Sequence, residues 1–232
     1  MPRASRAEAE RHREQVIAAT AKLVRTHGAD KVSVPQAMAA AGLTHGGFYR
    51  HFASKDDLIA QACTAAFAER LAAMDDLAEA EAESEGEGGG PDADGNAGQD
   101  TGQERGRGAR AAFLATYLST LHRDNPGLGC AAAALAVDAA RAEPGDPLRR
   151  AYADGMRNLI DGMERITRKS GDDAPDEGTI LVELSTMIGA LVLSRAVADD
   201  DLSDRILTAA RDHVLGDDEH TPGGKGSSDT AG

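Results

Sequence analysis

Between Ser33 and Leu58 the chain carries helix start and stop signals so close together that only short, crossed helices fit them. Ser33 followed by Gln36 makes a capping box, and Pro35 suits a first helical turn. The Ala-rich stretch after it has side chains small enough for a second helix to cross closely. Gly42 then ends that helix, because a residue tolerant of left-handed dihedrals lets the chain turn sharply. Thr44 stands where it can cap a further helix carrying His45, Gly46, Gly47, Phe48, Tyr49, Arg50, His51 and Phe52. Ser54, with Asp57 as its reciprocal partner, starts the next one. The mechanics predict a helix-turn-helix whose second helix is presented outward.

The same residues carry a resemblance. Ala41-Gly42-Leu43-Thr44, then Phe48-Tyr49-Arg50-His51-Phe52, then Ser54-Lys55-Asp56-Asp57-Leu58 are similar to the DNA-binding end of the tetracycline-repressor (TetR) family of one-component bacterial regulators. The match covers roughly the first quarter of the chain. It implies an all-α fold of about nine helices, a homodimer, and an effector that shifts the fourth helix and so changes the separation of two DNA-binding heads.

The rest of the chain agrees with an all-α reading. Aromatic residues are only 3% of the sequence and β-branched runs are scarce, so a stable sheet face has little to build on. Helical spacing of apolar residues predicts a first helix over 7–27, closed by Gly28, and a long fourth helix from Ser54 through Leu77. Five further stretches follow: one around Phe113 to Leu121, Leu128 to Arg141, one opened by Asp146-Pro147 and running to Ile166, Ile180 to Val192, and Asp201 to Val214. The expected organisation is a DNA-binding domain over 1–58, an effector-binding and dimerisation domain over 59–215, and a disordered tail over 216–232. Residues 79–110, rich in Gly, Asp and Glu, are expected to form a flexible insertion.

The net charge of −14 is unevenly distributed. Residues 1–65 hold nine Lys/Arg and six Asp/Glu, a balance of +3 that leaves −17 for the remainder. A mildly basic head on an acidic body orients such a protein on a polyanion. Two cysteines without framework spacing, Cys63 and Cys130, suit a reducing compartment, and the charged N-terminus is unlike a signal peptide. The best uncharged apolar window, Leu184 to Ser194, is short for a bilayer span. A cytoplasmic protein without membrane contact is expected.

Roles follow from position. Thr44 and His45, at the start of the exposed helix, are the expected base-edge readers. Gly46 and Gly47 either permit tight internal packing or let the helix backbone approach the groove floor. Tyr49, His51 and Lys55 are expected on phosphates, Arg50 on phosphate or in water, and Phe48 and Phe52 in the core. The N-terminal Arg3 and Arg6 could enter a minor groove.

Specific binding needs two heads, and the apolar helix with Ser185 and Gly189 one turn apart offers a seam for a homodimer through 180–215. Phe67, Met74, Tyr117, His122, Tyr152 and Met156, apolar bodies often with polar tips, are the expected lining for a small-molecule effector. Cys130 precedes an Ala-rich helix and is either a reactive thiol or an inert buried one. No metal or cofactor spacing, nucleophile elbow or phosphate loop occurs in the sequence. The expected function is a ligand-responsive repressor on a palindromic double-stranded operator. The rival is a helical interaction module that has lost DNA binding.

Overall fold

The computed structural model describes residues 6–86, 101–167 and 176–216, and every regular element among them is helical. Helix α1 (Arg6–His27) and α2 (Val34–Ala40) are followed by a 3₁₀ turn over His45–Arg50. Then come α3 (Lys55–Gly86), α4 (Thr101–Tyr117), α5 (Thr120–Asp124), a second 3₁₀ turn (Pro126–Leu128) and α6 (Ala131–Arg141). α7 (Pro147–Thr167), α8 (Glu177–Ala196) and α9 (Asp200–Gly216) complete the order.

The head assembles as its caps dictate. Ser33 Oγ accepts from the Gln36 backbone N–H while the Gln36 side chain accepts from the Ser33 N–H, so both halves of the capping box are present. Gly28 and Gly42 leave their helices with φ of +85° and +72°, the left-handed geometry that glycine adopts without strain. α1 buries Val16, Ala21 and Val24 against this unit. Ser54 accepts from the Asp57 N–H at 3.0 Å, and the Asp57 carboxylate accepts from the Ala53 N–H at 3.0 Å. That exchange holds the Asp57 carboxyl below its ordinary value, chiefly through the Ala53 N–H.

α3 leaves the head and packs along α7 at the centre of the body. Two glycines make that approach possible. A Cβ on Gly155 would lie 2.2 Å from the Phe67 ring, and one on Gly162 would lie 2.9 Å from Leu71 Cδ2. α8 and α9 pair on the far side, and Arg110 of α4 reaches buried Glu183 of α8 at 3.2 Å.

Several boundaries differ from expectation. Helix continues to Gly86 and resumes at Thr101, so the expected insertion over 79–110 is helical at both flanks, where Ala, Glu, Gln and Arg favour helix. Residues 87–100 lie outside the described residues, as does the expected tail from 217 onward. The stretch through Leu121 breaks in two, because Ser119 caps a new start: its Oγ accepts from the His122 N–H at 3.2 Å. α6 begins at Ala131 rather than Leu128, after the Pro126 turn.

α8 is longer than the sequence suggested. Its twenty residues are apolar and long enough to cross a bilayer by length and composition. In this fold it is a bundle helix: Leu184, Met187 and Leu191 enter the core and Glu183 pairs with Arg110.

Candidate nucleic-acid interface

Six residues after the Gly42 turn, His45–Arg50, form a short and largely exposed segment of the head. The segment was expected to be an α-helix; it is a 3₁₀ turn over His45–Arg50. Two adjacent glycines have poor helix propensity, and so short a segment cannot offset that by length. Thr44 takes the extended backbone of a capping residue, but its side chain makes no cap hydrogen bond. The turn is fixed instead by its aromatic underside. Phe48 is fully buried and Phe52 nearly so, their rings stacked with centroids 5.4 Å apart.

With Phe48 anchored inward, its neighbours must face out. Thr44, His45, Gly46, Tyr49 and Arg50 are exposed, and Tyr49 is 79% accessible although it packs edge-on to Phe48. Large aromatic area left to solvent beside a buried ring suits contact with another molecule.

Gly46 and Gly47 stand side by side in this turn. Neither has positive φ, so neither is required by the backbone. A Cβ on Gly46 would meet nothing within 4 Å, and one on Gly47 would make only an ordinary 3.9 Å contact with Met38. Internal packing therefore requires neither. A bare backbone here leaves room for something outside the chain to approach closely.

Gly47 also lines a surface hollow of about 630 Å³ together with Thr44, Arg50 and His51. His12 of α1 lines it too. That residue was not anticipated, since only the crossing of α1 over the turn brings it there. Lys55 is not in this hollow. Its ammonium donates to the Asp30 carbonyl at 3.3 Å and lines a smaller polar hollow of about 160 Å³ with Asp56, Asp138 and Arg141. Arg6 begins α1 and is exposed, while Arg3 lies outside the described residues.

The head is joined to the body near the end of α1. Arg25, almost wholly buried, pairs with Glu69 of α3 at 2.7 Å and donates to the Gly129 carbonyl at 3.3 Å. Asp138 of α6 accepts from the Ala29 N–H at 2.7 Å. Arg13 bridges to Gln61, which in turn donates to Asp57 at 2.8 Å.

The six residues expected around an effector all lie in the body and fall into two groups. Phe67 meets Tyr152 edge-on at 5.7 Å, with Met156 packed against the same core and Met74 reaching towards Gly162. Tyr117 meets His122 edge-on at 4.8 Å. Cys63 and Cys130 are both free and buried; burial pushes the Cys63 thiol up to about 12, the behaviour of an inert core residue.

Comparison with known proteins agrees with this geometry. The profile of bacterial regulatory proteins, tetR family, matches residues 16–62. Among curated protein sequences nothing matches the chain. Solved structures share the fold over nearly its whole length. The reduced form of NemR from Escherichia coli is 16% identical, with a TM-score of 0.64 over 88% of this chain and 95% of that one. A TetR-family transcriptional regulator from Agrobacterium tumefaciens is 15% identical, also at 0.64, over 90% and 98%. A TetR transcriptional regulator from Chloroflexus aurantiacus J-10-FL is 25% identical at 0.57, over 90% and 95%. Residues 16–62 are thus a helix-turn-helix head of the tetR family, carried on a body with the fold of TetR-family regulators.

Proposed function

We propose that the protein is a cytoplasmic transcriptional repressor that binds a palindromic operator as a homodimer and is released by a small-molecule effector. The observation that carries the reading is the turn at His45–Arg50: an exposed backbone with open space above Gly46, held rigid by Phe48 and Phe52. In this reading Thr44 and His45 read base edges, Gly46 and Gly47 let the turn reach the groove floor, and Tyr49, Arg50, His51 and Lys55 hold phosphates. Lys55 would exchange its contact with the Asp30 carbonyl for a phosphate oxygen.

A second copy fits the outer face of α8. Leu181, Val182, Val192 and Leu193 are exposed there beside Ser185, and a Cβ on Gly189 would meet nothing within 4 Å. An apolar face with small residues at its middle suits a close helix pair, and α8 with α9 would supply half of a four-helix interface. A two-fold dimer reads half-sites about 34–36 Å apart. The effector is placed in the body among Phe67, Met74, Tyr117, His122, Tyr152 and Met156. It acts by binding the DNA-incompetent state more tightly, with α3 carrying the shift to the head.

A salt titration tests this reading against an interaction module without DNA affinity. The duplex to use is the region flanking the protein's own gene. A dimer touching six to ten phosphates loses roughly 10³–10⁵ in affinity between 50 and 200 mM salt. Absence of duplex binding at low salt would leave the interaction module as the answer.

A further inference from the structure

In the body, polar groups from four elements converge on one imidazole. His122 of α5 hydrogen-bonds through Nδ1 to the Tyr117 carbonyl at 2.7 Å, while its Nε2 accepts from the Cys130 backbone N–H at 3.0 Å. An amide N–H can only donate, so Nε2 is unprotonated and Nδ1 carries the hydrogen. Arg70 of α3 brings its guanidinium to 3.1 Å from the same Nε2. Arg195 of α8 donates to the carbonyls of His122 at 2.7 Å and Arg123 at 3.0 Å.

The cluster is rich in donors and lacks an anion. Among the described residues neither Arg70 nor Arg195 pairs with a carboxylate. Glu69 is engaged by Arg25, and Asp124 and Asp204 by Arg123. α6 begins at Ala131, so its positive N-terminal end adjoins the cluster, and the Cys130 side chain does not cap it.

Tyr117 supplies an independent sign. The residue is 1% exposed and its hydroxyl meets only the Cys130 thiol, while the buried Nε of Arg70, whose guanidinium lies 5.7 Å over the Tyr117 ring, has no partner. Such poorly satisfied groups in a core are uncommon, since each gives up its hydration without full return. Burial raises the Tyr117 hydroxyl well above its ordinary range and the neighbouring Cys130 adds to the rise, while the Arg70 and Arg195 guanidiniums act in the opposite sense. Arg70 thus lies beside the Tyr117 ring and the His122 imidazole alike.

Resting on the effector reading above, we infer that this cluster anchors an effector bearing a carboxylate, gripped by Arg70 and Arg195 with the Tyr117 hydroxyl as a third donor. Two guanidiniums and a hydroxyl match the in-plane lone pairs of a carboxylate. The ring of Phe113, 5.9 Å from that of Tyr117, offers the apolar remainder a flat neighbour. The anchor is also wired to the head. A Cβ on Gly129 would lie 2.9 Å from Arg195 Nη2 and 3.0 Å from His122 Nε2, so Arg195 and His122 both pack directly against Gly129. The Gly129 carbonyl is the one that Arg25 of α1 holds.

The test is isothermal titration of the full chain with benzoate, with benzamide as the neutral isostere and inorganic phosphate as the alternative anion. Benzoate is expected to saturate one site per chain at millimolar concentration, while the other two do not. Arg195→Gln and Arg70→Gln should each weaken benzoate about tenfold or more, and Tyr117→Phe by less. Tyr117→Phe deletes one hydroxyl and keeps the ring, so it remains informative if an arginine variant fails to fold. Benzamide equal to benzoate, phosphate in its place, no benzoate heat at all, or affinity unchanged in folded Arg195→Gln would each overturn the proposal. No DNA is present, so the result stands apart from whether the head binds an operator.

Discussion

Glycine does opposite jobs at the two ends of this molecule. In the body, Gly155 and Gly162 are small because Phe67 and Leu71 of α3 leave no room for a Cβ. In the head, Gly46 is small although a Cβ there would meet open space. Histidine divides the same way: His122 is turned inward and satisfied by its own chain, while His45 faces solvent. Packing accounts for the body's glycines and does not account for Gly46. That contrast separates residues kept for stability from residues available for recognition.

The largest expected effect lies in the body. Gly155→Ala forces a contact that Phe67 can relieve only by moving, and overpacking of this kind costs about 1–3 kcal/mol. Thermal melts should shift down by several degrees. An unchanged melting temperature would mean that α3 and α7 are not packed as closely as described.

Next comes pH. His122 is pushed down to about 4, first by burial and then by the Arg70 guanidinium, against an ordinary 6.5. Below pH 6.5 the unfolded chain takes up a proton that the folded one refuses until about pH 4. Stability should therefore fall as pH drops through that window, and His122→Gln should make the fall shallower. Equal slopes for the two proteins would place His122 in solvent.

Effects confined to binding, with no change in stability, belong to the exposed turn. His45→Ala should relax discrimination at one base position by about 1–3 kcal/mol without lowering the melting temperature. Tyr49→Phe and Lys55→Ala should weaken binding to all duplexes alike. Binding assays on a series of single-base operator variants distinguish the two patterns, and uniform loss in all three mutants would undo the division of roles.

Legibility in the sequence followed the range of the interaction. The Ser33–Gln36 box, the Gly42 turn, the Ser54–Asp57 exchange and the inward Phe48 and Phe52 were readable because each is decided within a few residues. The length of α3 was underestimated, since a run such as Ala-Glu-Ala-Glu-Ala-Glu has no apolar stripe yet strong intrinsic helix preference. His12 joining Thr44 and His51 around one hollow required the crossing of α1 over the turn. The meeting of Arg70 and Arg195 at His122 depends on side chains of α3 and α8 reaching α5 across the bundle, which no local pattern encodes.

The most direct test takes two readings on one pair of variants, Gly46→Ala and Gly47→Ala. Thermal melts report whether the chain needs these glycines, and titration with the duplex flanking its gene reports whether a partner does. The expected result is a melting temperature equal to or slightly above the parent, because alanine restricts the unfolded chain, together with at least about tenfold weaker duplex binding. Full duplex affinity in both folded variants, or loss of the fold in either, would contradict the assignment of this turn as the surface that meets DNA.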